Sequence, residues 1–235
     1  MTTKQKATLV ASDYVHLHNH THYSVLDGLQ KIPEMLDYVQ ELGMESIALT
    51  DHGTLSGAIE FYKEAKNRGI KPIIGMETYI ASRNHTNKDP AKDKGRFHLI
   101  LLAMNMQGYQ NLMKLSTIAN LDGFYHKPRI DHDLIEQYHE GLIALSGCIG
   151  GEVGENLRYG DYAKAKEIAQ WYKSIFGDRY YLEIQHHGKQ WDEQKRVNDQ
   201  LITLGKELDI PLVLTCDAHY LKHEDQEAHE ILLYV

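Results

Sequence analysis

Residues 15–24, VHLHNHTHYS, carry a histidine at every second position: His16, His18, His20 and His22. In an extended strand, alternate side chains point to the same face, so these four imidazoles would crowd together on one side. A buried imidazole needs a partner for both of its ring nitrogens, and an ordinary core does not provide so many partners. The spacing therefore predicts that a metal site lies at the end of this strand.

Other side chains able to bind metal follow the ends of later strand-like segments or, for Glu77, lie within one. These are Asp51 and His52 in LTDHG, Glu77 in GMETY, Cys148 in LSGC, and Asp217 and His219 in LTCDAHY. Imidazole, carboxylate and thiolate together form a ligand set typical of Zn, Mn or Fe rather than Ca or Mg. The set contains more donors than one ion can use, which points to a cluster of two or three ions.

His98 and the pair His186 and His187 fit this scheme less simply. His98 stands at the beginning of the strand-like segment HLILLA, not at its end. Either this strand runs against the others or the loop before it crosses the site, and the sequence leaves both arrangements open. His186 and His187 follow YLEIQ and could line the rim of the site.

Each of these residues also has an ordinary structural explanation. Asp51 lies close before a glycine and could form a turn, Asp217 could cap a helix, and Glu77 could face solvent. The metal prediction rests on the joint pattern, because the ordinary explanation would have to be repeated at every strand end. The remaining histidines are expected to be solvated: His85, His132, His139, His223 and His229.

Strand-like and helix-like segments alternate along most of the chain. Strands are predicted over residues 13–18, 45–50, 71–81, 97–104, 141–147, 180–185 and 210–215. Helices are predicted over residues 32–42, 55–67, 108–120, 163–176, 192–208 and 225–235, and residues 82–95 form a polar loop. Seven β/α units indicate an α/β fold, either a parallel barrel or a doubly wound sheet. In a β/α barrel the carboxyl ends of the strands meet on one face, where sites are built.

Composition limits the classes of function. The chain has 235 residues, a formal net charge of −8, 15 histidines and two cysteines, Cys148 and Cys216. The negative charge argues against a protein that coats nucleic acid, although bound metal could still create a local phosphate site. With so few cysteines, no apolar run that would span a bilayer and no signal-peptide core, we expect a cytoplasmic protein with reduced thiols and no membrane partner.

The ordered phrases HLHNHT, LTDHG, GMETY, FHLILLA, LSGC and CDAHY resemble the polymerase and histidinol phosphatase (PHP) domain family. The phrases HLHNHTHYSVLDG, GYQNLMKLS, YHKPRID, LSGCIGGEV and YLEIQHHG are similar to the branch that opens the α subunit of bacterial DNA polymerase III. The resemblance implies a tail over residues 1–13 and one PHP domain over residues 14–235. The implied fold is a distorted seven-stranded (β/α)7 barrel with a trinuclear metal site. The palm, fingers and thumb of the parent polymerase would lie outside this sequence.

The resemblance also implies which residues hold two to three divalent ions of Zn, Mn or Fe. Matched motif by motif, the ligands are His18, His20, Asp27, His52, Glu77, His98, Cys148, Asp217 and His219. Glu77 and Asp217 are the expected catalytic residues, which bridge the ions or orient water. The expected phosphate or DNA contacts are Arg96, Lys127, Arg129 and His187. The other two histidines of the opening stretch are expected to line the approach.

These expectations describe a metal-dependent phosphodiester hydrolase within a replicative DNA-directed DNA polymerase. The implied activity is a 3′–5′ exonuclease that proofreads at a DNA 3′ end, with the remaining polymerase domains and other replisome subunits as partners. Three alternatives stay open. The domain could be a phosphatase for a small molecule such as a phosphorylated histidine precursor, a module in which metal only stabilises the polymerase, or a docking surface for a separate proofreading subunit.

Overall fold

The computed structural model describes residues 10–187 and 192–234. The strands in these ranges are β1 (Ser46–Leu49), β2 (Lys71–Ala81), β3 (Arg96–Ala103), β4 (Arg129–Ile130), β5 (Leu142–Leu145), β6 (Tyr180–Gln185) and β7 (Leu212–Thr215). The helices are α1 (Ile32–Glu41), α2 (Ala58–Asn67), α3 (Met106–Leu121), α4 (His132–Tyr138), α5 (Glu152–Arg158), α6 (Tyr162–Phe176), α7 (Asp192–Leu208) and α8 (Gln226–Leu232). None of these helices is long and apolar enough to cross a bilayer.

The strands form one sheet in the order β1-β2-β3-β5-β6-β7, with the short β4 paired to β2. Residues 16–21 connect its two edges. Ala48 N in β1 donates to His16 O at 2.8 Å, and His20 N donates to Ala218 O at 2.8 Å, just after β7. Because this segment pairs alternately to the two sides, it forms isolated bridges, not the continuous strand that the sequence predicts. The sheet is thereby closed into the expected distorted barrel.

Of the two arrangements that the sequence leaves open for the strand of His98, the structure has the first: β3 runs against its neighbours. This strand runs antiparallel to both β2 and β5, while the β1–β2, β5–β6 and β6–β7 pairs are parallel. The reason is that β2 and β3 are joined by the loop of residues 82–95, which contains no helix, so they form a hairpin instead of a crossover. The first residues of β3 consequently lie at the mouth formed by the last residues of its neighbours. This reversal brings His98 to the same place as the other candidate ligands.

Alternation along β3 separates the inside of the barrel from the outside. Leu99 and Leu101 belong to the core between the sheet and the helices, whereas Ile100 and Leu102 belong to a smaller inner cluster with residues of β1 and β5. His98 has the same parity as the inner residues, so its side chain points into the barrel. Glu77 of β2 pairs with Ile100 and therefore faces the interior as well.

Buried Arg129 holds two loops together at the mouth. Its side chain is only 1% exposed. The guanidinium nitrogens lie 2.7 to 3.1 Å from the carbonyl oxygens of His85, Asn87, Asp93 and Gly123. The loop of residues 82–95 and the turn of residues 122–128 are thus tied to one side chain, which fixes their position beside the barrel opening.

We expect the substitution Arg129→Met to lower the free energy of unfolding by about 3 kcal/mol, because it leaves several buried carbonyl oxygens without a donor. The control Arg96→Met removes an exposed guanidinium and should change stability by no more than about 0.5 kcal/mol. Urea denaturation followed by circular dichroism measures both. Equal midpoints for the two variants would show that Arg129 does not anchor these loops.

Candidate metal centre

The carboxylate of Glu77 lies at the centre of a buried cluster at the barrel mouth. Its Oε1 atom lies 3.3 Å from His18 Nε2 and 2.9 Å from His98 Nδ1. Its Oε2 atom lies 3.4 Å from His20 Nε2 and also contacts His52 Nδ1. One carboxylate is therefore surrounded by imidazoles from the closing segment, from the chain after β1 and from β3.

Asp217, which follows β7, supplies a second carboxylate. Its Oδ1 atom lies 3.1 Å from His18 Nε2, 3.2 Å from His20 Nε2 and 3.6 Å from His219 Nδ1. The backbone of Asp217 has a φ of 52°, in the left-handed region that residues other than glycine seldom adopt. Backbone conformations of this kind are concentrated at functional sites, and Asp217 lies at the candidate centre.

Asp27 and Cys148 complete the cluster on its outer side. Asp27 Oδ2 lies 3.0 Å from His52 Nε2, and Cys148 Sγ lies 3.5 Å from His98 Nδ1. Within the described residues, three groups have donor atoms that all lie within 4.8 Å of one another. These groups are His20, His52 and His219; His18, His20 and Asp217; and Glu77, His98 and Cys148. All of the ligand candidates from the sequence thus meet at one centre.

Unpaired buried atoms test whether this donor set fits a cation. Among the described residues, the buried atoms without a hydrogen-bond partner include His18 Nε2, His20 Nε2, His52 Nδ1, Asp27 Oδ1, Asp217 Oδ1 and both carboxylate oxygens of Glu77. A buried polar atom without a partner is costly, and these atoms converge instead of being scattered. Nitrogen, oxygen and sulfur donors in this arrangement fit divalent cations such as Zn, Mn or Fe.

The inner histidines are oriented by hydrogen bonds on their far sides. His18 Nδ1 donates to Glu183 Oε1 at 2.7 Å, and His20 Nδ1 donates to Ser24 Oγ at 3.0 Å. Each bond leaves the Nε2 atom facing the centre, as is usual for metal-binding histidines. The sequence reasoning missed Glu183, although an acid within the strand-like segment YYLEIQ was an available signal.

Asp51 has a structural role, although not in the turn that was considered for it. Its Oδ1 atom accepts hydrogen bonds from Thr21 N at 2.6 Å and from Ser24 Oγ at 2.7 Å. These bonds fix the chain that follows the closing segment, and through Ser24 they hold the ring of His20. Asp51 therefore supports the centre from outside it.

The pKa values within the cluster are strongly shifted. Burial would lower the pKa of His18, but the neighbouring carboxylates, Asp217 first, raise it well above its ordinary value. Burial also opposes protonation of His52, yet Glu77 and Asp27 raise its pKa to about 10. Burial, with His52 nearby, lowers the pKa of His20 to about 4. Without a cation, protons on His18 and His52 therefore balance the ionised carboxylates.

The four residues that were expected to contact phosphate have different surroundings in the structure. Lys127 Nζ and Arg96 Cζ lie 5.6 and 5.8 Å from the centre of the Tyr79 ring, beside the cluster. His187 is half-buried and its Nε2 atom lies 2.8 Å from Gln185 Oε1. The expectation for Arg129 is wrong, because its buried guanidinium is engaged with backbone carbonyl oxygens.

Several histidines that were expected to be solvated have defined partners instead. His229 Nε2 donates to the carbonyl oxygen of Asp27 at 2.9 Å, which links α8 to the centre. His132 Nε2 lies 2.9 Å from Glu152 Oε2, and its ring stacks on Trp171. In the opening stretch, His22 is exposed and His16 is half-buried, so only His18 and His20 reach the centre.

We expect Glu183→Gln to weaken binding of Zn²⁺ or Mn²⁺ by roughly 10- to 100-fold, because the partner that orients His18 loses its charge. Competition with a chromophoric chelator measures this affinity. The control Glu140→Gln alters a carboxylate whose side chain is 71% exposed and should bind metal like the unmodified chain. If both variants bind equally, Glu183 does not orient a metal ligand.

Comparison with solved structures supports the fold. A protein from Bifidobacterium adolescentis that is assigned to the metal-dependent phosphoesterases superposes with a TM-score of 0.54 at 14% identity, covering 88% of this chain and 87% of the other. An amidohydrolase from Chromobacterium violaceum superposes with a TM-score of 0.57 at 11% identity, covering 93% and 96%. At such identities the likeness concerns the fold alone.

Sequence comparison identifies closer relatives. The DNA polymerase III subunit alpha of Borreliella burgdorferi is 46% identical over 225 residues, which is 95% of this chain and 19% of that protein. The same subunit of Aquifex aeolicus is 45% identical, over 95% of this chain and 20% of that protein. This chain thus spans about a fifth of the length of these relatives. The profile of the PHP domain matches residues 16–187, and the chain therefore belongs to the PHP domain family.

Proposed function

We propose that this chain is a PHP domain of a replicative DNA polymerase III α subunit and hydrolyses phosphodiesters with two to three divalent ions, as a 3′–5′ exonuclease. The observation that carries the proposal is the convergence of unpaired buried donors on the carboxylates of Glu77 and Asp217. Two carboxylates that share the same histidines favour a centre with more than one ion, the arrangement used for phosphoester hydrolysis. The sequence similarity to polymerase α subunits favours a DNA 3′ end over a small phosphomonoester.

The residues of the centre would have distinct roles. The histidines, with Asp27 and Cys148, would hold Zn, Mn or Fe, and Glu77 and Asp217 would bridge the ions or orient the attacking water. Bound divalent ions would neutralise the phosphate oxygens and lower the pKa of a water molecule, so that its deprotonated form is available to attack phosphorus. Glu183 would keep His18 in one tautomer. Arg96 and Lys127 would contact neighbouring phosphates, and His187 would line the rim.

The proposed partners follow from the relatives. Because this chain spans about a fifth of the α subunits that it matches, the remaining polymerase domains of the same polypeptide are the first expected partners. A DNA 3′ end is the proposed substrate, and other replisome subunits are further proposed partners. Proofreading would follow if this centre removed mispaired nucleotides close to the polymerase.

We expect the affinity for Mn²⁺ to rise with pH between about pH 6 and 9. His18 and His52 have raised pKa values and are protonated in the metal-free chain, whereas a metal ligand must be neutral. Lower pH therefore favours the competing protons, and the affinity should change by roughly tenfold per pH unit for each proton displaced. Calorimetric titration over this range measures the slope. His52→Gln should reduce the slope by about one proton, and a flat profile for the unmodified chain would contradict the assignment.

We expect the purified chain, supplied with Mn²⁺ or Zn²⁺, to shorten a 5′-labelled single-stranded DNA stepwise from its free 3′ end. Asp217→Asn and the double variant His18→Ala/His20→Ala should reduce the rate at least about 100-fold, because they remove shared donors of the centre. The control His223→Ala changes an exposed histidine outside the centre and should keep the full rate. Elemental analysis of the same samples should find two to three ions per unmodified chain.

Different outcomes of this assay separate the alternatives. Bound metal without cleavage of DNA or of phosphomonoesters would favour a structural module. Cleavage of small phosphomonoesters alone would favour a phosphatase. Shortening that persists unchanged in Asp217→Asn would show that the activity does not arise at this centre.

A further inference from the structure

The turn between α3 and β4, residues 122–128, presents aromatic side chains to solvent. The Phe124 side chain is 50% exposed, His126 is also exposed, and Tyr125 between them is half-buried. The rings of Tyr125 and His126 lie 4.4 Å apart between centroids. We call residues 122–128 the aromatic turn. Its exposed rings contribute nothing to the core, so they are available to a ligand.

Contacts of the aromatic turn with Arg129 and Gly53 hold it in one conformation. Arg129 donates to the carbonyl oxygen of Gly123 at 3.1 Å, and its guanidinium lies 5.2 Å from the centre of the Tyr125 ring. Pro128 packs so closely on Gly53 that a Cβ atom at Gly53 would lie 2.5 Å from Pro128 Cγ. Because Gly53 follows a histidine of the metal centre, the turn is fixed directly beside that centre. A ligand on the turn would therefore bind a preorganised surface.

Two cations lie beside the metal centre, one of them, Lys127, within the aromatic turn and the other, Arg96, at the start of β3. Lys127 and Arg96 both lie over the ring of Tyr79. The Tyr79 ring in turn stacks at 5.8 Å on His52 and meets His98 edge-on at 5.3 Å. The chain as a whole has a net charge of −8, and these two side chains supply positive charge beside the turn. Exposed rings next to cations are the features that bind single-stranded nucleic acid.

We propose that the aromatic turn is a base-stacking platform for single-stranded nucleic acid, with Phe124 stacking on a base and Lys127 and Arg96 contacting the adjoining phosphates. The inference deepens the proposed nuclease function and rests on it. Every base has a π-face on which a ring can stack. The platform therefore requires a strand that carries bases but does not depend on the base sequence. A small phosphomonoester would gain nothing from it, which makes Phe124 a specificity-determining residue.

The test is binding, measured apart from turnover. The probe is a labelled oligothymidylate of about 12 nucleotides with hydrolysis-resistant phosphorothioate linkages, titrated with the manganese-loaded chain and followed by fluorescence anisotropy. We expect Phe124→Ala to bind about tenfold more weakly and Phe124→Trp to bind like the unmodified chain. The control Leu121→Ala removes a side chain that is 75% exposed at the end of α3 and should leave binding unchanged.

An oligonucleotide of the same length without bases provides the second comparison. It should bind the unmodified chain about tenfold more weakly than oligothymidylate, and Phe124→Ala should not weaken it further. The platform is overturned if oligothymidylate does not bind, if Phe124→Ala binds it normally, or if the base-free strand binds equally well. Hydrolysis of bis(p-nitrophenyl) phosphate reports separately on the metal centre. If the unmodified chain does not hydrolyse this compound but still binds oligothymidylate in a way that depends on Phe124, the proposed nuclease activity is refuted and the platform is not.

Discussion

A fully buried, ionised carboxylate is the constraint on which the centre depends. Glu77 is 1% exposed, and an isolated charge in such a position would be strongly destabilising. Imidazole nitrogens surround both oxygens of the Glu77 carboxylate. The histidines compensate its negative charge either by carrying protons or by binding cations together with the carboxylate. The elements that supply those imidazoles must therefore converge on one point. Glu183 and Asp51 then serve to orient the histidines that Glu77 requires.

Two departures from a regular barrel make that convergence geometrically feasible. The β2–β3 hairpin reverses one strand and so brings its first residues, with His98, to the mouth. The segment of residues 16–21 pairs to β1 on one side and to the chain after β7 on the other, which places His18 and His20 between Glu77 and Asp217. A barrel with regular β/α units would have its β3 ligand at the opposite end. These two irregularities thus bring the candidate ligands together.

Much of the site could be predicted from the sequence because strand ends are marked by local patterns. Glu77, Cys148 and Asp217 each follow a short apolar run, and such runs are visible without any knowledge of pairing. The direction of β3 could not be predicted, because it depends on which strands pair across a loop without a helix. Nor could the role of Arg129, since a buried guanidinium that binds carbonyl oxygens has the same local sequence signature as one that binds phosphate.

The way the barrel closes has a consequence for the order of folding. The backbone N–H of His20 donates to Ala218 O, and the side chain of His18 donates to Glu183, so the centre joins residues separated by most of the chain. Contacts at such separation form slowly, because the loop must be closed before any contact compensates for the lost entropy. During synthesis on the ribosome, His18 and His20 emerge early, and they can form these contacts only after β7 has emerged. The candidate centre can therefore assemble only after β7 has been synthesised, and a cation bound there would report that the barrel has closed.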